Sequence, residues 1–438
     1  MRACAWLFLA VISAAAPARA TSAAHGEPPC TSEPSALGGL ACELARAVRA
    51  QAGNAVVVGL APTLSPSTPL KPAVAVALAV KVALALGRAA SAWPLAEDRA
   101  HLAHFASPRP LVVVTPKLDG DALVASLELF APATPPVTSG NARLDASVHL
   151  VAKRGFDAEV RRFLPAIALV ARELVRVGPA ESDVVALACG DLDGTGVPVV
   201  ASVGRTFVTF GAYRAGKYTL ISRREQRELA PVAPTPLREA LGTAWITPAS
   251  TLDFGLSDRA HAVRLRGIQA EALAARLPWP GGGCVNLDAP LVSPRAVRCS
   301  KDEPQISEPA LAEPLDALAG AVIVSRAGDV RLVRAGRLAS GAVVVTDGAH
   351  EIRLDHGGAQ LALADLDGDG APELVTSLDT LDPHSDAVVV YSWLGSSLSE
   401  RLRVAVPAGV RALAVCPAPA DRMPSIVVAT SEGLWVIR

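Results

Sequence analysis

Two stretches of this 438-residue chain carry the same acidic frame, Asp-Leu-Asp-Gly, 174 positions apart. The second stretch, residues 365–373, reads Asp-Leu-Asp-Gly-Asp-Gly-Ala-Pro-Glu, with carboxylates at loop positions one, three, five and nine. Ca²⁺ takes about six to eight oxygen ligands, and alternating carboxylates on a glycine-turned loop direct several oxygens toward one point. The spacing therefore predicts a calcium loop. Its predicted ligands are Asp365, Asp367, Asp369, Glu373 and the backbone carbonyl of Ala371.

The first stretch, residues 191–199, keeps only part of this frame. Asp191 and Asp193 occupy positions one and three, and Thr195 occupies position five. Val199 stands at position nine and offers no side-chain oxygen, so water or a neighbouring carbonyl would have to complete a site. The sequence predicts a second, weaker calcium site at Asp191, Asp193 and Thr195.

Apolar segments flank both loops, which indicates a repeated strand–loop–strand unit larger than the loop. Residues 185–190 and 359–364 precede the two loops, and each loop is followed by proline and an apolar run. This pattern resembles the FG-GAP or VCBS repeat of integrin α-subunit-like β-propellers, whose loops bind calcium in the same frame. The resemblance implies a mainly β fold and bound Ca²⁺.

The spacing of the loops predicts the number of blades. A quarter of 174 residues is about 43, a typical length for a four-stranded propeller blade. Three degenerate blades are therefore expected between the loops, with remnants at residues 244–263, 283–297 and 315–332. The last unit, residues 411–438, holds only three strands, and residues 167–177 are expected to supply the fourth. Six blades result, or seven if residues 156–177 form most of a blade.

The first third of the chain has a different organisation. Apolar residues at helical spacing predict a helix over residues 35–52. Residues 71–86 favour a helix, although their alternation also fits a strand. The remaining predicted elements are a strand at 54–60, a helix at 95–105 and strands at 111–115, 123–130 and 142–152. We expect a small α/β domain over residues 21–152 and a propeller over residues 153–438, a layout similar to that of the periplasmic propeller proteins of the Tol system.

The N-terminus and the cysteines indicate an extracytoplasmic protein. Residues 1–20 have the basic start, apolar stretch and Ala-Arg-Ala end of a secretory signal peptide. Six cysteines remain in the expected mature chain, which favours disulfides but permits fifteen pairings. Short separations suggest Cys30 with Cys42 and Cys284 with Cys299. Cys189 and Cys416 then lie on equivalent strands near the two ends of the array, although both could instead be buried free thiols.

Charge and motifs restrict the function. A net charge of −1 supplies no basic field for nucleic acid. The strongest apolar segment, residues 72–86, is too short to span a bilayer. Nucleotide-binding loops and nucleophile elbows are missing from the sequence, which lowers the odds of an enzyme. We therefore expect a periplasmic or secreted, non-enzymatic binding or assembly protein that holds a protein or peptide partner. The alternatives are a propeller enzyme acting on glycans or other polymers, and a structural or adhesive surface protein.

Overall fold

The computed structural model contains a five-stranded sheet with three helices, followed by five sheets arranged around a channel. The predicted signal peptide, residues 1–20, lies outside the described residues. The structure describes residues 30, 35–61, 70–106, 108–119, 122–132, 146, 148–165, 167–170, 173–179, 181, 183–193, 197–214, 216–233, 240–247, 249–288, 291–299, 311, 313–324, 330–394, 397–417 and 423–438.

The first sheet has the order β2-β1-β3-β4-β5. Strand β1 runs parallel to both of its neighbours, and the pairs β3–β4 and β4–β5 are antiparallel. Helices α1 and α2 pack against one face of this sheet and α3 packs against the other. The elements of this α/β unit are α1 (Ala36–Ala52), β1 (Val57–Leu60), α2 (Ala73–Leu86), β2 (Ser91–Ala96), α3 (Arg99–Ala106), β3 (Leu111–Asp119), β4 (Ala122–Phe130) and β5 (Val148–Gly155).

The start of α1 and the end of α2 are explained by their sequences. The Ser35 side chain accepts a hydrogen bond from the Gly38 N–H at 3.0 Å, which caps the start of α1. Helix α2 is apolar apart from Lys81 and ends at Gly87, where φ is +94°. The helix predicted over residues 71–86 is thus confirmed, and its strand alternative is wrong. Of the helices in the described part of the chain, none has both the length and the apolar character needed to cross a bilayer.

The helix predicted at residues 95–105 begins later than expected. Residues 91–96 form the edge strand β2, which tolerates Pro94 because an edge strand leaves one side of its backbone unpaired. The Asp98 side chain accepts a hydrogen bond from the His101 N–H at 2.8 Å, so the cap of α3 lies after the strand.

The segment that follows β5 packs into the α/β unit. It contains a short helix, α4 (Ala158–Arg161). Val160 lies in the core formed by α1, α2 and the sheet, and Glu159 is fully buried, with one carboxylate oxygen 2.9 Å from Lys81 Nζ on α2. The Asp157 carboxylate accepts hydrogen bonds from the Val160 N–H at 2.9 Å and from the Ala36 N–H at 2.6 Å. Helix α4 is therefore fixed to the start of α1.

The remaining strands form the five blades of a propeller. Their sheets have the orders β10-β9-β8-β7, β11-β12-β13-β14, β15 through β21 in sequence order, β22-β23-β24-β25 and β26-β27-β28-β6. The strands of the first two blades, with β6, are β6 (Leu174–Gly178), β7 (Val184–Gly190), β8 (Val199–Gly204), β9 (Phe207–Arg214), β10 (Lys217–Glu225), β11 (Gly242–Ile246), β12 (Leu252–Leu256), β13 (Val263–Arg266) and β14 (Gln269–Ala272). A short helix, α5 (Gln226–Leu229), separates β10 from β11.

The later blades are built from the last fourteen strands. These are β15 (Leu277–Pro278), β16 (Cys284–Asp288), β17 (Leu291–Val297), β18 (Leu315–Val324), β19 (Val330–Leu338), β20 (Val343–Thr346), β21 (Glu351–Leu354), β22 (Leu361–Ala364), β23 (Glu373–Thr376), β24 (Ala387–Leu394), β25 (Ser397–Ala405), β26 (Ala412–Cys416), β27 (Ser425–Ala429) and β28 (Leu434–Ile437).

The predictions of six and of seven blades are both wrong, because the third sheet takes up the residues assigned to an extra blade. Strands β15–β17 do not close a blade of their own. They join β18 through the pair Val292–Leu315 and extend one sheet to seven strands. The Thr243 hydroxyl donates to the Pro278 carbonyl at 2.7 Å, and the Trp279 indole N–H donates to the Ala319 carbonyl at 3.0 Å. This segment thus fills the space between the inner strands β11 and β18.

The predicted closure of the ring is confirmed. Strand β6 pairs antiparallel with β28, so a strand from before the first blade completes the last one. A disulfide joins Cys189 on β7 to Cys416 on β26, across the same junction. Disulfides Cys30–Cys42 and Cys284–Cys299 are also formed, so all three suggested pairings are confirmed.

Candidate functional site

The acidic loop joins β22, the innermost strand of the fourth blade, to β23. The Asp369 N–H donates to Asp365 Oδ1 at 2.9 Å and to Asp367 Oδ1 at 3.0 Å, and the Gly370 N–H donates to Asp365 Oδ2 at 2.9 Å. Gly368 and Gly370 have φ values of +71° and +86°, which residues with a side chain rarely adopt. The loop backbone therefore holds the Asp365 and Asp367 carboxylates in place.

Glu373, the first residue of β23, completes the cluster from inside the blade. Its side chain is buried, with the residue 2% exposed. Oε2 accepts from the Leu366 N–H at 2.8 Å, and Oε1 accepts from the Ser392 hydroxyl at 3.1 Å. One oxygen each of Asp365, Asp367 and Glu373 lies within 4.8 Å of the others. Three carboxylates thus converge, one of them on the buried side of the loop.

The electrostatics of this cluster favour a bound cation. Burial raises the pKa of Glu373 to about 8, and the negative charges of Asp367 and Asp365 add to the rise. Burial also raises the pKa of Asp365 to about 6; the negative charges of Asp369 and Asp367 add to the rise, and hydrogen bonds from the Gly370 and Asp369 N–H groups oppose it. A hard divalent cation would neutralise these crowded charges, and an all-oxygen donor set fits Ca²⁺.

The ligands predicted for this loop do not all lie in the cluster of three carboxylates. Asp365, Asp367 and Glu373 form the cluster of three. Asp369 lies beside it, where its Oδ1 accepts from the Ala371 N–H at 2.8 Å. These residues fit a calcium ion held by the loop carboxylates, with Glu373 closing the buried side.

The first loop has a different character. Asp191 and Asp193 follow β7, and Asp193 is exposed; Thr195 lies outside the described residues. Val199, at the position that corresponds to Glu373, begins β8 and is buried among apolar residues. Within the described part of the chain, no third carboxylate converges with Asp191 and Asp193.

A cation from the α/β unit lies against the acidic loop. A Cβ atom at Gly368 would lie 2.4 Å from Cγ of Arg161 and 2.6 Å from its Cδ and Nε, so the arginine side chain crosses the turn where glycine leaves space. Arg161 is the last residue of α4, which is fixed to the α/β core. The acidic loop and the α/β unit therefore share a contact.

A channel of about 860 Å³ runs between the innermost strands of all five blades. These strands are rich in alanine, as at Ala186, Ala188, Ala319, Ala412 and Ala414, and these five side chains are buried in the clusters on the two faces of the blades. Inner strands converge near the axis, where larger side chains would collide. The alanine content of the sequence is thus explained at the inner strands by packing.

The channel has two distinct mouths. Neighbouring inner strands run in the same direction, since a Cβ at Gly242 would meet Val185 near one end and a Cβ at Gly190 would meet Ile246 at the other. We call the end where the inner strands begin the Arg411 mouth; Asp316, Gln360 and Arg411 line it. The opposite end is the Asp365 mouth. It is lined by Asp365 and Gly368 and by Gly155, Phe156, Asp157 and Arg161 of the segment leading out of the α/β unit.

Among the residues that the structure describes near the Arg411 mouth, Arg337 is paired with carboxylates and Arg411 is not. Arg337 bonds to Asp316 and, at 3.0 Å, to Asp379 Oδ1, and its Nε donates to the Gly357 carbonyl at 2.7 Å. Burial raises the pKa of Asp316, while Arg337 opposes the rise. Arg411 is exposed, and its side chain has no ion pair with any carboxylate that the structure describes. Among the described groups, Arg411 is therefore a positive charge without an ion-pair partner at this mouth.

Sequence reasoning missed both Arg161 and Arg411. Arg161 lies in a polar stretch that carries no motif, and its role depends on a contact more than 200 positions away along the chain. Arg411 could have been found, because it directly precedes an apolar inner strand, as Gln360 precedes β22.

Comparisons with known proteins leave the family open. No protein-family model matches the chain, and no curated protein matches it. Among solved structures, the soluble aldose sugar dehydrogenase from Escherichia coli aligns with a TM-score of 0.35 and 12% identity, over 60% of this chain and 98% of that one. The WD40 domain of Toxoplasma gondii coronin aligns with a TM-score of 0.33 and 12% identity, over 74% of this chain and 77% of that one. SapL1 lectin in complex with alpha methyl fucoside aligns with a TM-score of 0.29 and 10% identity, over 74% of this chain and 94% of that one. Likeness at this level assigns no function, and the propeller is recognised from the sheets of this chain itself.

Proposed function

We propose that this chain is a non-enzymatic binding protein that holds a protein or peptide partner in the channel of its propeller. The observation that carries this proposal is the channel itself. It is lined by the inner strands of all five blades, has about 860 Å³ of space and is reached through the Arg411 mouth. Clefts of roughly 300–1,000 Å³ are typical ligand sites.

We propose a structural role for calcium in the acidic loop. Asp365, Asp367 and Glu373 would hold the ion, and Asp369 and the Ala371 carbonyl would complete the ligand set implied by the FG-GAP or VCBS resemblance. The ion would fix the turn between β22 and β23, and so the position of an inner strand at the Asp365 mouth. In this role it takes part in no reaction. The weaker loop at Asp191 and Asp193 remains a proposal by analogy.

We propose further that the chain works outside the cytoplasm, in the periplasm or after secretion. Three disulfides support this location, because such bonds persist in oxidising compartments. The predicted division into an α/β domain and a propeller domain is part of the same proposal. It is supported by the separate cores of the first sheet and of the blades.

Selection of peptides from a random displayed library tests the channel as the binding site. Val322 lines the channel and is exposed, so Val322→Trp would occupy channel space without removing a buried contact. Leu381, fully exposed outside the channel, supplies the matched control Leu381→Trp. Selected peptides should bind the wild type and the control and fail to bind Val322→Trp. Equal binding to all three proteins would contradict the proposal.

A further inference from the structure

We infer that the channel takes one extended, aliphatic peptide strand, which enters through the Arg411 mouth and places an acidic residue against Arg411. This inference rests on the proposed function and specifies the ligand of the same site.

The backbone edges of the inner strands point to a peptide. In the described sheets, β7 pairs with β8 alone, β22 with β23 alone and β26 with β27 alone. The side chains of β7 are used on both faces of its blade: Ala186 and Ala188 pack toward the second blade, and Leu187 and Cys189 pack toward the last. What these strands turn toward the channel is therefore a row of backbone N–H and C=O groups without a strand partner.

The unpaired backbone groups of these inner strands favour some classes of ligand over others. Backbone polar groups require hydrogen-bond partners when water is displaced from them. A hydrocarbon chain offers none, and a sugar does not repeat with the spacing of a strand. An extended peptide presents N–H and C=O groups at the matching repeat and can add to an exposed strand edge. The channel therefore matches a peptide in strand conformation.

The size of the channel limits the ligand to a single strand with small side chains. Strand β7 has seven residues and so spans about 23 Å at ~3.3 Å per residue. A cavity of about 860 Å³ over that length averages roughly 37 Å² in cross-section. One strand with side chains of ordinary size occupies on the order of 47 Å² in a packed sheet, from spacings of ~4.7 Å and ~10 Å, which is more than the channel average, so a strand fits only if its side chains are small. Two strands would not fit, and alanine and valine suit the available width.

The two mouths set the direction of entry. The Asp365 mouth is lined by the segment leading from the α/β unit, including Phe156 and Arg161, and this segment is fixed to the core through Asp157. The Arg411 mouth carries the unpaired guanidinium. An aliphatic strand that enters there leaves its flanking residues beside Arg411, and an acidic flanking side chain would pair with that cation.

Binding of defined peptides to the disulfide-bonded chain tests this inference. The probe is a fluorescent eight-residue peptide of alternating valine and alanine with two glutamates at one end, made with the acidic end at either terminus. A second version is N-methylated at alternate residues, which preserves the side chains and removes strand donors. A third replaces glutamate by glutamine. Fluorescence anisotropy gives Kd for each peptide, and palmitate is tested as a competitor.

We expect one orientation of the acidic peptide to bind, with N-methylation weakening it at least tenfold and palmitate failing to displace it. Arg411→Ala should weaken the glutamate peptide about tenfold and leave the glutamine peptide unchanged. Val322→Trp and Gln360→Trp, at opposite mouths, should each abolish binding, while Leu381→Trp should not. Thermal unfolding of each variant establishes that it is folded, and two occluding positions keep the test decisive if one variant fails to fold.

Failure of this inference can be distinguished from failure of the proposed function. Equal affinity for the N-methylated peptide, displacement by palmitate, or indifference of the glutamate peptide to Arg411→Ala would overturn the inference. If library peptides still required an open channel, the proposed function would stand. Binding that ignored both occluding variants would overturn the inference and the proposed function together.

Discussion

At the scale of single residues, the acidic loop combines half-buried ligand positions with one buried acid. Asp367 faces the cluster from the turn, whereas Glu373 approaches it from within the blade. Asp367→Ala should lower the melting temperature in calcium and leave the value in EDTA nearly unchanged, because the wild type lacks the ion there too. A ligand present at a hundredfold excess over Kd stabilises by about 2.7 kcal/mol, which sets the scale of the loss.

Differential scanning calorimetry in calcium and in EDTA, together with metal analysis, measures this effect. Asp382→Ala is the control, since Asp382 is an acidic turn residue outside the cluster that accepts from the His384 N–H. Equal destabilisation of Asp367→Ala in both conditions would show that Asp367 acts through the turn and not through calcium.

Glu373 makes the metal-free protein sensitive to pH. Its pKa of about 8 in the folded chain exceeds the value of 4.5 expected when it is exposed, so the folded state holds the proton more tightly. Stability in EDTA should therefore be greatest below about pH 4.5 as far as this group is concerned, fall as the pH rises toward 8, and level off above it, by a few kcal/mol at most.

Urea denaturation in EDTA at a series of pH values measures this slope. Glu373→Gln removes this titrating group and should flatten the profile between about pH 6 and 8, above the pKa of about 6 at Asp365. Saturating calcium should flatten the wild-type profile as well, because the ion favours the ionised carboxylate. A wild-type stability in EDTA that rises from pH 5 to pH 8 would contradict the raised pKa.

At the scale of elements, local patterns were predictable and sheet membership was not. The acidic frame, the helices at residues 36–52 and 73–86, and the closing strand β6 follow from spacing, caps and the need to cover a sheet edge. The division of residues between sheets depends on the distant pair Val292–Leu315, which no local pattern records. Division by a constant repeat length therefore gave an extra blade. The convergence of Arg161 on Gly368 escaped prediction for the same reason.

The disulfide between β7 and β26 holds the first and last blades together. It links residues 227 positions apart, so it removes much freedom from the unfolded chain. Cys189→Ser combined with Cys416→Ser should lower the free energy of unfolding by about 2–5 kcal/mol. The ring should still close, because β6 continues to pair with β28.

Urea denaturation of the double variant measures the loss of stability. The matched control removes Cys30–Cys42, which lies outside the propeller and closes a span of only 12 residues. The chain-entropy account of disulfides predicts a smaller loss for this control. A larger loss for the control would show that the α/β unit, and not ring closure, limits the stability of the chain.

At the scale of the whole molecule, one segment serves both parts of the chain. Residues 156–164 complete the core of the α/β unit and line the Asp365 mouth, and β6 follows shortly after to close the ring. The α/β unit thus covers one end of the channel, while the propeller depends on the chain beyond residue 173 for its last strand.

Two truncated chains test separately whether the propeller needs the α/β unit and whether it needs β6. A chain of residues 167–438 keeps β6 and loses the α/β core, so it should fold as a monomer with its Asp365 mouth uncovered. A chain of residues 181–438 also loses β6, and the free edge of β28 should then pair with other chains and cause association. Size-exclusion chromatography with light scattering and circular dichroism compares the two. Both retain Cys189 and Cys416, so the disulfide is the same in each. Identical monomeric behaviour would mean that β6 is dispensable for closure, whereas association of both would show that the propeller needs the α/β unit to fold.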